Sequence, residues 1–340
     1  MIKRKLKKSK AFNEAQTRRW LAWIATSSEK NHQAVFLIEG LQTSWLPHKR
    51  QKIAHFLLTI FFATLIIVLV FILLKDIEGG LLQATGLGIG IGLGLGVGFS
   101  LKIGEGIENN PIQVNKQPSG WSFNHFRKKF LNGVIQGLFR GAVIGLFIGI
   151  VFIFSLVFYT ERDLPGQTIM ILFSIPTFVV LIGLFGVIAG LISSGFIIKM
   201  EKGNSRPNEG MYQTWKGSLW GGFGGFLIGF IFGFPFGIFE GRSTLEIIDA
   251  GLYEGASLGA VVGIITAFWT GGMDLIRHYT LRLLIYIYGL GPWRMAAFLD
   301  FVVDDLKFMR HVGGGYIFIH RTMKEHFSNL ESEGGSNKVE

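Results

Sequence analysis

Apolar residues fall into six long runs separated by short polar stretches, at 54–74, 79–101, 141–159, 167–198, 217–239 and 250–272. A helix rises 1.5 Å per residue, so about 20 residues cross a hydrocarbon core of roughly 30 Å. Each run therefore predicts a transmembrane helix. The fourth is longer than a crossing requires, and Pro176 predicts either a kink or first turns that lie in the interface. The sixth carries Glu254 near its outer end. Ahead of the runs, Trp20, Leu21, Trp23 and Ile24, followed by Val35, Phe36, Ile38 and Leu41, give an apolar helical face within a soluble segment, 1–50.

After the sixth run the pattern turns soluble again over 274–330. Residues 274–288 read as a helix that ends at Gly289 and Gly291, and Pro292 opens a second helix reaching Asp305. Phe308, Arg310 and Val312, then Tyr316, Phe318 and His320, alternate around Gly313-Gly314-Gly315, which predicts a hairpin. A last helix covers 321–330, and 331–340 is expected to be a disordered tail. The domain division is thus 1–50, a membrane bundle at 51–273, a soluble unit at 274–330, and the tail.

Charge supports this division and orients it. Only 16% of the 340 residues are charged, against about 25% in soluble proteins. With the N-terminus inside, the inner loops hold Lys102, Lys116, Arg127, Lys128, Lys129, Lys199, Lys202, Arg206 and Lys216. The outer loops hold only Lys75, Arg162 and Arg242, among several acids. This is the positive-inside pattern, so both termini are expected in the cytoplasm and the protein in the inner (plasma) membrane. The net charge of +10 is then an orientation signal and not a nucleic-acid footprint. The segment 121–130, WSFNHFRKKF, reads either as an interfacial stretch lying flat on the anionic surface or as an ordinary basic loop. No cleavable signal peptide is expected, because the basic first ten residues lead into a mixed polar helix pattern. Cysteine is absent, which excludes disulfides and thiolate metal sites.

Glycine changes the picture most. Most of the chain's 47 glycines sit inside the apolar runs, at spacings of four in the third, fifth and sixth and alternating with large residues from Gly86 to Gly98 in the second. Such stripes let helix backbones approach closely, and predict a tightly packed, self-associating bundle. The competing reading is a pore or switch lined by glycine. No run has a central Asp, Glu, Lys or Arg, and Arg140 and Glu254 lie near run ends where they can snorkel. That weighs against an ion or proton pathway, although a purely hydrophobic gate leaves no charge signature.

Helix, helix, hairpin, helix predicts a winged-helix-like unit, but Asp300, Asp304 and Asp305 on its second helix argue against DNA. The run GGGYIFIHRTMKEHF at 313–327 resembles the end of the winged-helix domain in NACHT-type STAND nucleotidases. The upstream LRLLIYIYGLGPWRMAAFLDFVVDDLKFMRHV at 281–312, and RRWLAWIATSSEKNHQAVFLIEGLQTSWLP at 18–47, resemble segments flanking the membrane part of membrane-bound bacterial members. The departure is large. There is no G-x-x-x-x-G-K-[ST] phosphate loop, and the glycines of GLGIGIGLGLG at 86–96 lie within a run. The family's ATPase activity is therefore not carried over. In the family the His of the motif can contact the phosphates of bound ADP; the matching residue is His320, whose alternative reading is a packing residue at the hairpin end. His311, His320 and His326 lie close in sequence but lack a carboxylate or Cys to complete a metal set.

The expected fold class is an all-α polytopic membrane protein, with about six glycine-rich transmembrane helices and a small cytoplasmic winged-helix-like α/β unit. The expected function is non-catalytic: membrane anchoring and helix-mediated assembly, as the membrane-embedded part of a NACHT-like STAND signalling system. The alternative is a glycine-rich channel acting alone. No cofactor, catalytic residue or metal is expected. The expected partners are the lipid bilayer, a P-loop NACHT nucleotidase on another chain, and further copies of this chain. The soluble ends, 11–47 and 274–330, are each too short for an adequate core and are expected to fold against each other.

Overall fold

The computed structural model describes residues 12–73, 80–100, 112, 116–159, parts of 175–191, 196–200, 207–235 and 244–336. Helix α1 (Glu14–Lys30) starts at Asn13, whose side chain accepts from the Ala15 N–H. Short turns at Ile38–Gly40 and Thr43–Trp45 lead to α2 (Lys49–Leu73) and α3 (Gly80–Ser100). Strand β1 (Lys116–Trp121) precedes the 37-residue α4 (Phe123–Tyr159). Strand β2 (Phe196–Met200) then pairs antiparallel with β1. Helices α5 (Glu209–Gly233) and α6 (Thr244–Ala267) follow, and a wide turn at Phe268–Gly272 joins α6 to α7 (Met273–Ile287). Helix α8 (Met295–Phe301), the hairpin β3 (Met309–Val312) and β4 (Gly315–Phe318), and α9 (Arg321–Ser336) complete the order.

Among the described residues, three helical stretches are long and apolar enough to cross a membrane: Lys49–Val70, Phe126–Phe147 and Thr244–Ile287. Gly88–Gly98 and Ile175–Leu184 are shorter apolar stretches. The 44-residue Thr244–Ile287 stretch would, if straight, be about twice the bilayer core. It is not straight. Gly271 adopts φ 136°, and a Cβ there would meet the Thr214 methyl at 2.6 Å. Only glycine holds that backbone at that contact, and the chain changes direction there from α6 into α7.

Three local expectations are corrected. The fourth run ends before 196, because Phe196–Met200 form β2 instead of helix. The basic segment 121–130 is not a loop over most of its length, since α4 begins at Phe123 and carries Arg127, Lys128 and Lys129 in its first turns. The last helix does not stop at 330 but runs to Ser336, through six residues of the expected tail. Residues 1–11 and 337–340, and most of the loops at 74–79, 101–115, 160–174, 201–206 and 236–243, lie outside the described residues.

The glycines decide how the helices meet. Positions two apart on a helix point about 200° apart, so the alternation in α3 makes two opposite glycine faces. Gly88, Gly92 and Gly96 face α2, where a Cβ at Gly92 would stand 2.6 Å from the Thr64 Cα. Gly94 faces α4, where a Cβ would stand 2.8 Å from the Ile144 Cα. In α5, Gly225, Gly229 and Gly233 lie against the backbone of α6, and in return Gly251, Gly255 and Gly259 receive the rings of Phe234, Phe230 and Phe226. The outward sides of these helices stay apolar: Leu57, Phe61 and Leu69 of α2 and Ile228, Ile231 and Phe232 of α5 are exposed. An apolar surface of this extent suits lipid and not water.

The segments before α2 and after α6 share one core. Trp20, Leu21, Trp23 and Ile24 of α1 pack with Leu281, Leu284 and Ile285 of α7, Phe298 and Leu299 of α8, and Phe327 of α9. Phe12, Trp20, Phe298 and Phe301 form a chain of ring contacts at 5.1 to 6.1 Å. Phe36 joins the hairpin through one isolated antiparallel bridge. Its N–H donates to the Tyr316 carbonyl at 2.7 Å and its carbonyl accepts from the Tyr316 N–H at 2.9 Å. Arg19 reaches from α1 to the Gly289 carbonyl with two N–H groups, at 2.9 and 2.6 Å. This joint unit is called the cap below.

Candidate functional site

Among the described residues, the junction between cap and helices gathers several buried polar and charged groups. Three polar tethers cross it. The Glu39 carboxylate, on the Ile38–Gly40 turn, accepts from the Gly210 N–H at 2.8 Å. Asn208, which precedes α5, supplies no side-chain cap, so the acid that caps the start of α5 comes from 171 residues earlier. A carboxylate is favoured there by the partial positive charge of the helix start. The second tether is His278 of α7, fully buried, with Nε2 3.0 Å from the Ile38 carbonyl. The third is His55 of α2, with Nε2 2.8 Å from the Arg277 carbonyl. A carbonyl only accepts, so each imidazole must carry its proton on Nε2.

Charged groups complete the junction. Arg277 and Asp274 on α7 lie 3.5 Å apart with 7% and 17% of their side chains exposed. Arg140 of α4 places its guanidinium over the Trp269 ring, 5.6 Å from its centre, within electrostatic reach of both. Buried ion pairs add little net stability but are costly to break. Here the pair lies within α7, and the links between elements are the two imidazoles, which join α7 to α2 and to the Ile38 turn, and Arg140 of α4 over Trp269. The arrangement holds elements together; it presents no activated nucleophile.

The residues singled out by sequence sit elsewhere. His320 is exposed at the start of α9, where its carbonyl accepts from Met323 and Lys324. It is thus not packed under the last helix. His311 lies on β3, its ring 4.9 Å from that of Tyr316, and its Nε2 3.7 Å from an Asp300 oxygen. His326 leans on Phe327. The structure does not bring the three imidazoles into one ligand set: among the described residues no group of three or more His, Cys, Asp or Glu is placed to hold a metal. Tyr316 donates its hydroxyl to Asp300 at 2.7 Å. Burial first, and then the bond to Asp300, push that hydroxyl well above the usual tyrosine range.

Sequence reasoning missed His55, His278 and Glu39. The signal available was weak: imidazoles within a turn or two of a run boundary, where a polar group must find a partner. Arg140 was read as a snorkelling end residue, whereas it turns inward onto Trp269. No protein-family model, curated protein or solved structure matches the chain.

Proposed function

We propose that this protein is a non-catalytic, multi-pass membrane anchor that carries a cytoplasmic docking cap and assembles through its helices. In this reading the six apolar runs all cross the bilayer and both ends lie on the inner face. The cap is winged-helix-like and serves as the membrane-embedded part of a NACHT-like STAND signalling system, with the P-loop nucleotidase on a partner chain. The observation that carries the proposal is the shared core of the chain's two ends, with the helices inserted between Trp45 and Leu281. Such a unit transmits force or position between a soluble partner and the bundle through Glu39, His55 and His278. The glycine faces are taken up by helix contacts within the chain, which favours an anchor over a channel lined by glycine. His320, exposed at the start of α9, is where a partner's bound nucleotide would meet the cap.

Reporter fusions test the topology. Those after residues 78, 163 and 245 should report outside, and those after 115, 205 and 330 inside. A discordant pair would remove one of the six crossings. The isolated chain should bind neither ATP nor ADP, because one imidazole without a phosphate loop offers too few donors. Tight nucleotide binding by the chain alone would overturn the split arrangement.

A further inference from the structure

Beside the junction, a cleft of about 360 Å³ opens between the first turns of α5 and the middle of α7. Asn208, Met211, Tyr212 and Trp215 line one side, Tyr279 and Arg282 the other. Its size falls within the roughly 300–1,000 Å³ of small-molecule sites. Its polar groups are unevenly satisfied. One N–H₂ of Arg282 donates to the Trp293 carbonyl at 3.2 Å, and its guanidinium lies 6.0 Å from the centre of the Trp293 ring. Yet its Nε–H is buried with no hydrogen-bond partner, and so is the Asn208 Oδ1. Lys216 leans over the Tyr212 ring at the rim, 5.9 Å away. None of the six lining residues is acidic; Glu209 follows Asn208 in the chain but does not line the cleft.

The position is as informative as the composition. Met211 belongs to the cap core, while farther along α5 Leu219, Phe223 and Leu227 are exposed and apolar. The cleft therefore lies at the level where the soluble cap gives way to the lipid-facing helix surface. Tyr212, Trp215 and Tyr279, which line the cleft and are each 49% to 58% exposed, mark the same level. Tyrosine and tryptophan collect where headgroups meet acyl chains. Basic pockets between helices on the inner side suit phosphate headgroups.

We propose that this cleft binds the phosphate of an anionic phospholipid headgroup. The Arg282 Nε–H and the Lys216 ammonium supply the charge-assisted donors. Asn208 Oδ1 accepts from a headgroup hydroxyl, and the aromatic rim packs against the glycerol backbone and first methylenes. The lipid then acts as a wedge between α5 and α7, beside the Glu39 tether, and its occupancy stiffens the cap on the bundle. This rests on the membrane reading above.

The test uses the full chain purified in an uncharged detergent, with thermal unfolding followed as lipid is added. Phosphatidylglycerol should raise the midpoint saturably, whereas phosphatidylcholine and inorganic phosphate at equal concentration should not. R282Q should weaken the apparent phosphatidylglycerol affinity about tenfold, the loss of one buried charge-assisted hydrogen bond. R282K should recover part of it, because charge returns without the planar fork. K216Q changes an exposed side chain that leaves the fold intact, and should weaken affinity about threefold; K324Q, on α9, should change nothing. Equal responses to phosphatidylglycerol and phosphatidylcholine would overturn the proposal. So would an unaltered affinity in both R282Q and K216Q. Saturation by inorganic phosphate alone would replace the lipid with a soluble anion, and overturn it as stated. Resistance of the chain to carbonate extraction from membranes is scored separately: it tests membrane insertion, and survives failure of the headgroup site.

Discussion

A single added methyl group should have opposite effects at two glycines five residues apart on α5. At Gly229 a Cβ would stand 2.6 Å from the Leu258 carbonyl oxygen and 2.7 Å from the Gly259 Cα. Both are backbone atoms, so no rotamer change relieves the contact. To reach even the edge of ordinary contact, at about 3.4 Å, the two helices must part by several tenths of an ångström along a face that also seats Gly225 and Gly233. Overpacking of this kind costs about 1–3 kcal/mol. At Gly224 nothing lies within 4 Å, so Gly224→Ala adds helix propensity with no clash, a gain of at most about 1 kcal/mol. Reversible unfolding of the full chain in mixed micelles, followed by far-UV circular dichroism, reads both. Gly229→Ala should lower the midpoint, Gly224→Ala should hold or raise it, and Leu227→Ala on the exposed side should sit close to the parent. Gly229→Leu, too large for any adjustment, should separate α5 from α6. If Gly229→Leu and Gly224→Ala unfold alike, α5 does not pack on α6 through this face.

Other perturbations address the cap and its tethers. Glu39→Gln should keep the hydrogen bond to Gly210 but lose the charge at the start of α5, costing about 0.5–1 kcal/mol in the same unfolding assay. Gly289→Ala should destabilise the cap by about 1–2 kcal/mol, since φ is +65° and a Cβ would collide with the Arg19 guanidinium. Tyr316→Phe removes the donor to Asp300 and should cost about 1 kcal/mol. The pH dependence follows from the raised tyrosine pKa, because the folded state retains a proton that the unfolded state releases. This contribution is complete below the ordinary tyrosine value near pH 10 and declines above it. Tyr316→Phe should therefore lack part of the parent's alkaline loss of stability.

How far the sequence discloses this architecture depends on the range of the interactions. The hairpin was legible because Gly313-Gly314 stands between two alternating strands, and the register pairs Met309 with Phe318 and Val312 with Gly315. The end of α7 was legible because Gly289 carries the left-handed turn. The glycine faces were legible as contacts but not as pairs: the spacing of four in α5 says that something approaches, and only the structure says that it is α6. The pairing of β1 with β2 was hidden because its two strands lie 75 or more residues apart and β1 contains Pro118 and Gly120, both poor strand formers. The tethers were hidden for the same reason. Glu39 reads as an ordinary charge on a short turn, and its partner is a backbone N–H with no signature in sequence. His55 sits at the start of one apolar run and His278 just past another, and it takes the fold to show that one ring meets the Arg277 carbonyl and the other the carbonyl of Ile38.

The central claim is that the two ends of the chain close into one cap over the helices. Cysteines placed at Val35 and Ile317, which flank the Phe36–Tyr316 pair, test it in native membranes, and the parent chain has no cysteine to interfere. Mild oxidation should link Val35→Cys to Ile317→Cys rapidly and within one chain, while Ile317→Cys paired with Ile228→Cys on the exposed side of α5 should stay reduced. If the first pair links no faster than the second, the ends do not share a core and the cap does not exist as described.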